Sequence, residues 1–207
     1  MRSAVILAGG GSTRMEGDKG LRELGGEPLV RHVICRLSGL VDEVLVVVGS
    51  EEQRGAYSRA IGDETELTVD IHEGGSPLVG ALTGLRYAKG EYALITGCDM
   101  PFLSKDAIRL LFREAEGFDG ATFRWPNGWI EPLIAVYRVG PSIKKAQELY
   151  DAGNLRLRLV LLELPDVKMI PIEALRAFDP DLITLYDADT EDALLEAEKI
   201  LKENQTI

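Results

Sequence analysis

Cysteine is scarce in this sequence, which has only Cys35 and Cys98 among 207 residues. The two lie far apart and in no spacing typical of metal ligands, which argues against a disulfide framework and a cysteine-based metal cluster. Long apolar runs are lacking too, because no segment approaches the roughly 20 residues that a membrane-spanning helix needs. Met1 leads almost directly into an apolar segment, which leaves no room for a signal peptide. We therefore expect a cytoplasmic protein that does not cross a membrane.

Positive charge is also in short supply. The chain carries 23 Lys and Arg residues against 34 Asp and Glu residues, a formal net charge of −11. Proteins that bind nucleic-acid polymers usually present a basic face to the phosphates, so we expect no such partner. The balance says nothing against a small anionic ligand, since a few local cations and backbone amides can hold one.

The first half of the chain alternates strand-like and helix-like segments. Continuous apolar runs, typical of strands covered on both faces, occur at "SAVILAG", "DEVLVVVGS", "LTVDIH" and "YALITG". Helical spacing of apolar residues occurs at "PLVRHVICRLSG", "SPLVGALTGLRYAKG" and "SKDAIRLLFREAEG", the last with Ser104 as its N-cap. Alternating βα units predict an α/β fold in which helices cover both faces of a mainly parallel sheet. No repeat or linker is evident, so we expect one domain over residues 1–207.

The second half is less regular. "GATFRW" and "WIEPLIAVYRV" predict two strands around a turn at "PNG", and "SIKKAQELYDAG" predicts a helix that ends at Gly153. The segment "NLRLRLVLLELP" fits a strand and a helix equally well. "LITLYDADTEDALLEAEKILKEN" predicts a strand that runs into a helix capped by Asp189 or Thr190.

The loop after the first strand carries the most specific pattern, "ILAGGGSTRMEGDKG" at residues 6–20. Lys19 is preceded by Asp18 and followed by Gly20, where a Walker-type phosphate loop has glycine before the lysine and serine or threonine after it. The glycine spacing does not fit a dinucleotide fingerprint either. The run Gly9–Gly11 nevertheless lets backbone amides approach an anion, and Arg14 and Lys19 can bind phosphate oxygens. From spacing alone, a flexible connection with two solvated cations explains the loop equally well.

The wider pattern "LAGGGSTRMEGDKGLRELGGEPLVRHV" resembles the opening of the molybdenum cofactor guanylyltransferase family, which builds molybdopterin dinucleotides. That family has L-A-G-G-x-S-x-R-M-G-x-D-K, a small-residue turn and then P-L. This chain departs from the pattern at Glu16, where the family usually has glycine. Later blocks resemble family segments in the same order: "SPLVGAL", "GCDMPFL", "IEPLIAVYR" with Glu131 in place of histidine, "GNLRLRLVL" and "LYDADTEDALLEA".

The resemblance implies a single Rossmann-like three-layer α/β/α domain of the nucleotide-diphospho-sugar transferase type. It also implies transfer of GMP from GTP to molybdopterin with release of pyrophosphate, assisted by Mg²⁺. The residues implied as catalytic are Arg14, Lys19 and Asp99. The residues implied to bind the nucleotide are Leu7, Ala8, Gly9, Gly10, Lys19, Glu73 and Asp99. Glu73 is preferred to His72 as the acid that the family has near the end of its third strand.

The position of Asp99 in the sequence also points to a role in ligand binding. It lies just beyond the strand "YALITG", at a carboxyl end where open α/β sheets bind their ligands. Mg²⁺ binds through one or two carboxylates and completes its shell with water and substrate phosphates, so one aspartate here suits it. Alone, Asp99 would more simply cap a turn or pair with a cation. Beside the first loop, the sequence favours Asp99 as the metal ligand.

The second substrate leaves weaker signals. We assign Arg156, Asp187 and Asp189 to molybdopterin, although a solvated helix cation and two helix caps explain them as well. Trp125 and Trp129 flank a turn and either line a pterin pocket or close the edge of the sheet.

Other functions are compatible with the same loop. Within the fold, the alternatives are CTP-dependent transfer to molybdopterin and nucleotidyl transfer to sugar or corrinoid phosphates. A non-catalytic nucleotide-binding adaptor is the alternative from a different class, and the departures at Glu16, Glu131 and Val47 or Val48 keep it open. For the enzyme, we expect GTP and molybdopterin as partners, together with other cofactor-biosynthesis or molybdoenzyme-maturation proteins.

Overall fold

A computed structural model describes residues 1–9, 18–62, 65–72 and 75–204 of the chain. Within these ranges the strands are β1 (Arg2–Leu7), β2 (Glu23–Leu24), β3 (Glu27–Pro28), β4 (Glu43–Val48), β5 (Glu66–Val69), β6 (Tyr92–Gly97), β7 (Gly120–Arg124), β8 (Ile130–Arg138) and β9 (Val167–Pro171). The helices are α1 (Leu29–Leu37), α2 (Glu51–Ile61), α3 (Pro77–Tyr87), α4 (Lys105–Ala115), α5 (Val139–Asp151), α6 (Arg158–Glu163), α7 (Ile172–Arg176) and α8 (Glu191–Asn204).

Seven of the strands form one sheet in the order β5-β4-β1-β6-β8-β7-β9. β8 runs antiparallel to both of its neighbours, and the other strands run in one direction. The carboxyl ends of the parallel strands therefore meet along one edge, called here the carboxyl edge. The mainly parallel sheet predicted from the alternating pattern is confirmed.

Helices cover both faces of the sheet. One core packs side chains of α1, α2, α4 and α7 against the strands, and a second core on the opposite face packs those of α3, α5 and α6. The predicted three-layer α/β/α architecture is thus confirmed. None of the helices in the part of the chain described above is long and apolar enough to cross a bilayer.

Two glycines inside α3 have a packing role. A Cβ atom on Gly84 would overlap the side chain of Val5, and one on Gly80 would lie 3.2 Å from Leu7 Cδ2. Glycine weakens a helix, but here it allows α3 to lie directly against β1. The close approach places the N-terminus of α3 beside the carboxyl end of β1.

Four elements differ from the sequence prediction or were missing from it. Helix α2 has only Tyr57 buried, so it lacks the apolar stripe that would have predicted it. The strand predicted at "LTVDIH" ends at Val69, before Asp70. β9 and α7, which extend the sheet and cover its end, lie in a segment for which we made no prediction.

The strand predicted at "LITLYDAD" is wrong. Residues Ile183–Leu185 form a 3₁₀ turn, preceded by Leu182 with a φ of 54°. The two carboxylate oxygens of Asp179 accept hydrogen bonds from the amides of Ile183 (2.9 Å) and Thr184 (2.7 Å). These amides are therefore occupied locally and do not join a sheet.

Helix α8 begins as predicted and packs beside the β2–β3 hairpin. The Ala193 amide donates to Thr190 Oγ1 at 3.1 Å, which makes Thr190 rather than Asp189 the cap. A small buried cluster joins the two elements through Leu24, Leu29, Phe102, Ala188 and Ala197. The Gly25 amide also donates to Glu198 Oε1 at 2.6 Å. The last helix is thereby held against the hairpin that follows Lys19.

Candidate functional site

A cavity of about 220 Å³ opens at the carboxyl edge of the sheet. Five residues assigned to the site from the sequence line this cavity: Leu7, Ala8, Gly9, Lys19 and Asp99. They come from the end of β1, the turn before β2 and the turn after β6. The structure therefore brings together residues that are far apart in the chain, at the edge where α/β sheets bind ligands.

The end of β1 forms one wall of the cavity. The Ala8 amide donates to the Val47 carbonyl at 2.7 Å, and the Cys98 amide donates to the Leu7 carbonyl at 3.1 Å, so neighbouring strands hold Leu7 and Ala8. A Cβ atom on Gly9 would lie only 2.8 Å from the Gly49 amide nitrogen. The backbone at this point has room for glycine and for no larger residue.

Lys19 extends toward the carboxylates across the cavity. Its Nζ lies 3.7 Å from Asp99 Oδ2 and 3.9 Å from Asp189 Oδ2. The side chains of Lys19 and Asp99 are 30% and 16% exposed, so the pair is largely shielded from water. Neither carboxylate is within close hydrogen-bonding distance, and the ammonium is accessible to a bound anion.

The segment around Ala188 is tied directly to Asp99. The Ala188 amide donates to the Asp99 carbonyl at 2.9 Å, and Ala188 itself is fully buried. Asp187 and Asp189 flank this anchor, so both belong to the same acidic cluster as Asp99. Desolvation, and then the negative charges of Asp99 and Asp189, raise the pKa of Asp187 to about 7.

The donor set of this cluster fits a hard divalent cation. The negative charges of Asp99 and Asp189 raise the pKa of Asp187, and neighbouring carboxylates of this kind repel each other unless a proton or a cation lies between them. Carboxylate oxygens are also the ligands that Mg²⁺ prefers. Among the described residues, no three His, Cys, Asp or Glu side chains are arranged to enclose a metal. A pair of carboxylates suits an ion such as Mg²⁺, which takes its remaining ligands from water and phosphate.

Asp70 lines the cavity and was not assigned from the sequence. Its amide donates to the Val48 carbonyl at 2.8 Å, which fixes it just beyond β5. Burial raises the pKa of Asp70 to about 6, against a smaller opposing effect of the Thr83 hydroxyl. Its Oδ1 atom is buried and has no hydrogen-bond partner in the described part of the chain. The sequence could have indicated Asp70, because an acidic residue directly after a parallel strand lies at the carboxyl edge of the sheet.

Several residues assigned from the sequence lie outside the described ranges. These are Gly10, Arg14 and Glu73, together with the family departure at Glu16. His72, the second choice for the acid, stacks on Tyr150 with ring centroids 4.3 Å apart. It is not among the residues that line the cavity.

Arg156 does not reach the cavity lining. It is exposed in the turn before α6, with its amide donating to Asn154 Oδ1 at 3.4 Å. The nearby Trp129 is 51% exposed, and the Arg158 guanidinium lies 5.3 Å from its ring centroid. Trp125 instead donates through Nε1 to Glu131 Oε1 at 2.5 Å, so Glu131 has a structural partner.

The two cysteines differ in environment. Cys98 is buried and lines the cavity, whereas Cys35 is exposed on α1. His32 has a structural contact, since its Nε2 lies 2.8 Å from the Leu24 carbonyl. Val47 and Val48, one of which departs from the family pattern, are both buried in β4.

Comparison with known sequences agrees with this geometry. Residues 4–166 match the profile of the MobA-like NTP transferase domain. A probable molybdenum cofactor guanylyltransferase from Natronomonas pharaonis is 35% identical over 167 residues, which cover 80% of this chain and 82% of that protein. A molybdenum cofactor guanylyltransferase from Pseudomonas entomophila is 32% identical over 183 residues, covering 86% of this chain and 89% of that protein.

Solved structures share the architecture. The crystal structure of molybdopterin-guanine dinucleotide biosynthesis protein A from Archaeoglobus fulgidus matches with a TM-score of 0.83 and 28% identity, over 98% of this chain and all of that one. The fold alone is shared with 4-diphosphocytidyl-2C-methyl-D-erythritol synthase from Anaerococcus prevotii, at a TM-score of 0.70 and 12% identity over 97% and 96% of the two chains. Since the matching profile spans well over half of the chain, this protein belongs to the MobA-like NTP transferase family and is a nucleotidyltransferase.

Proposed function

We propose that this protein transfers GMP from GTP to molybdopterin, with release of pyrophosphate, to form molybdopterin guanine dinucleotide. The observation that carries the proposal is the Lys19 ammonium facing Asp99 at 3.7 Å in a cavity that also contains Gly9. This arrangement offers a cation and a close backbone approach for a triphosphate, with a carboxylate for a metal opposite. The names of the relatives supply the identities of the two substrates.

The reaction needs positioning and charge neutralisation more than covalent chemistry. An oxygen of the terminal phosphate of molybdopterin forms a bond to the α-phosphorus of GTP, and the bond from that phosphorus to the bridging oxygen of pyrophosphate breaks. Lys19 would stabilise the charge that develops on the leaving pyrophosphate. The backbone at Gly9 would lie along the phosphates, and Arg14 and Gly10 are proposed to complete the contacts. Leu7 and Ala8 would pack against the base.

Asp99 would hold Mg²⁺, with Asp187 or Asp189 as the second carboxylate of the cluster. When bound, the ion would neutralise phosphate charge and help to orient the phosphates. Lys19 then has a second role, because its ammonium offsets the negative charge of this cluster in the absence of the ion.

Asp70 is the acid that we propose for nucleotide recognition, alongside the sequence-based assignment of Glu73. A buried carboxylate oxygen without a partner is costly, and a nucleotide N–H or O–H group entering the cavity would satisfy it. Recognition of this kind suits the amino and imino groups of a guanine or the hydroxyls of a ribose.

Molybdopterin is proposed to approach from the side of Asp187, Asp189 and Arg156. The two aspartates adjoin the reacting end through Asp99. The exposed Arg156 does not line the cavity, so it would contact molybdopterin outside it. We further propose that the reaction takes place in the cytoplasm, where GTP is available. Proteins that deliver molybdopterin or receive the product are proposed as partners.

A direct assay tests the function. The purified protein is mixed with Mg²⁺, molybdopterin and either GTP or CTP, and both pyrophosphate and the dinucleotide product are followed. We expect product with GTP and little with CTP. A preference for CTP would move the protein to the cytidylyl branch, and absence of product with both nucleotides would favour a binding adaptor.

A further inference from the structure

Asp18, the residue before Lys19, is held by two side chains of α2. The Tyr57 hydroxyl donates to Asp18 Oδ1 at 2.5 Å, and Gln53 Nε2 donates to Asp18 Oδ2 at 2.7 Å. Each carboxylate oxygen thus has its own donor, and both donors come from one face of the same helix. Asp18 in turn begins the 3₁₀ turn Lys19–Leu21, since its carbonyl accepts the Leu21 amide at 3.1 Å.

Gln53 joins this turn to a second loop of the site. Its Oε1 accepts the Gly49 amide at 2.7 Å, while its Nε2 is used for Asp18. Gly49 is the residue whose backbone lies against Gly9 at the end of β1. The side chain of Gln53 therefore links the turn that carries Lys19 to Gly49, whose backbone contacts Gly9 in the proposed phosphate site.

Tyr57 is fully buried and is the one buried residue of α2. Burial, followed by the neighbouring Cys98 and Asp18 side chains, raises the pKa of Tyr57, so its hydroxyl stays protonated and donates. A Cβ atom on Gly20 would clash with that hydroxyl and lie 2.9 Å from Cys98 Sγ. The lysine turn therefore packs directly on the phenol, and a displacement of Tyr57 or Asp18 moves the backbone of Lys19.

From these contacts we propose that Gln53 and Tyr57 are positioning residues, which fix the Asp18 carboxylate and thereby hold the Lys19 ammonium opposite Asp99. The inference rests on the proposed function, because it assigns Lys19 to the phosphates. Neither residue touches the reacting atoms, and neither belongs to the motif through which the family is recognised. Both lie on a helix that the apolar pattern of the sequence does not predict.

A purely structural role is the competing explanation, because any half-buried carboxylate needs donors to be tolerated. The two explanations differ in one respect. A structural role predicts loss of stability alone, whereas a positioning role predicts loss of turnover that returns when the Asp18–Gln53 hydrogen bond is rebuilt with other atoms.

The test uses single substitutions and their reciprocal exchange. Tyr57→Phe removes only the hydroxyl, and Gln53→Glu keeps the acceptor for the Gly49 amide but loses the donor to Asp18. Each is expected to lower kcat for GMP transfer at least ten-fold. Asp18→Asn combined with Gln53→Glu restores a donor–acceptor pair with its polarity reversed and its charge unchanged. This double variant is expected to recover kcat to within about three-fold of the wild type.

Matched controls come from the opposite end of the sheet and from α5. Tyr92→Phe removes a hydroxyl that donates to the Phe118 carbonyl at 3.2 Å, and Gln147→Glu alters an amide paired with Arg86. Both are expected to lower the unfolding temperature as far as the site variants do, or less, with kcat unchanged. Wild-type kcat in Tyr57→Phe and Gln53→Glu, or a double variant no better than Asp18→Asn alone, would overturn the proposal.

A second readout does not depend on turnover. Acylation of lysines by a small reagent, followed by mass spectrometry, measures the reactivity of Lys19 against the exposed Lys89 as an internal reference. The labelling rate of Lys19 is expected to change at least three-fold in Tyr57→Phe and Gln53→Glu and to stay constant in Tyr92→Phe. An unchanged rate would refute the positioning role. An inactive wild type with the expected labelling change would refute the proposed function alone.

Discussion

Lys19 Nζ lies 3.7 Å from Asp99 Oδ2, although one residue follows β1 and the other follows β6. The ion pair spans the cavity at the carboxyl edge and is mostly shielded from solvent. Because interactions between charges strengthen as water is excluded, a triphosphate entering here would meet a cation and a metal-binding carboxylate at close range.

Removal of the Lys19 charge tests the phosphate role. We expect Lys19→Ala to lower kcat by on the order of 100-fold or more, because a donor aimed at developing charge contributes roughly 3–4 kcal/mol to the transition state. Pyrophosphate release at saturating substrates measures the effect. Lys89→Ala is the matched control, since Lys89 is 61% exposed and pairs with Glu43 and Glu66 instead. A Lys19→Ala protein with the full rate would contradict the assignment.

Asp99→Asn tests the metal role. The substitution keeps the shape of the side chain but removes the charge, so the Mg²⁺ concentration for half-maximal activity is expected to rise at least ten-fold. A Mg²⁺ titration at saturating GTP measures this. Asp106→Asn on α4 is the control, because Asp106 is exposed and pairs with Arg109 at 2.9 Å. Identical Mg²⁺ curves for Asp99→Asn and the wild type would rule out Asp99 as the ligand.

Gly9→Ala tests the close approach at the end of β1. The added methyl group would lie 2.8 Å from the Gly49 amide nitrogen, so the backbone must shift where the phosphates are proposed to bind. GTP affinity measured by calorimetry is expected to fall at least ten-fold. Gly140→Ala in α5 meets no atom within 4 Å and should leave affinity unchanged, with a gain of about 0.5–1 kcal/mol in stability. Equal GTP affinity in Gly9→Ala and the wild type would show that GTP binding does not require the close approach of Gly9 to Gly49.

Asp70 gives the ligand-free protein a defined pH dependence. Its native pKa of about 6 lies above the ordinary value, so the folded protein holds this proton after the unfolded chain has lost it. The contribution of Asp70 to stability is therefore complete below about pH 4 and is lost as pH rises toward 7. At about 1.4 kcal/mol for each pKa unit, a rise from the ordinary value of 3.8 to about 6 makes this loss on the order of 3 kcal/mol.

Denaturant unfolding of the Asp70→Asn protein between pH 4 and pH 8 measures that effect. The stability of the variant relative to the wild type is expected to increase as pH rises, because the amide never ionises. Asp151→Asn, the same substitution at the exposed end of α5, is measured alongside as the control. A constant difference between Asp70→Asn and the wild type would show that Asp70 ionises equally in the folded and unfolded chains.

Local sequence patterns were sufficient for most of the sheet and for part of the site. The buried strands of the first half are recognisable in the sequence as apolar runs. The rule that ligands bind at the carboxyl ends of strands led to Asp99, which does line the cavity. The same rule would have found Asp70, but extension of the strand "LTVDIH" to its last residue placed that acid inside the sheet. Glu73, the acid that the family resemblance implies, lies outside the described residues and stays a prediction.

Other parts of the site depend on tertiary contacts that no local pattern encodes. Helix α2 has Tyr57 as its one buried residue, so its inner face carries a hydrogen-bonding pair, Gln53 and Tyr57, rather than an apolar stripe. The approach of Asp187 and Asp189 to Lys19 depends on the Ala188 amide reaching the Asp99 carbonyl. Nothing in either segment specifies the other, because the contact follows from how the last helix packs.

Helix α8 lies beyond residue 166, where the match to the family profile ends, yet it shares a buried cluster with the hairpin that follows Lys19. The turn Lys19–Leu21 and helix α8 should therefore be stabilised together. GTP bound at Lys19 is expected to slow amide hydrogen exchange in α8. A fragment trimmed to the matched region would also lose two of the acidic groups around the ammonium. In this enzyme, the segment that matches the family profile ends at residue 166, but the residues around the proposed active site continue into α8.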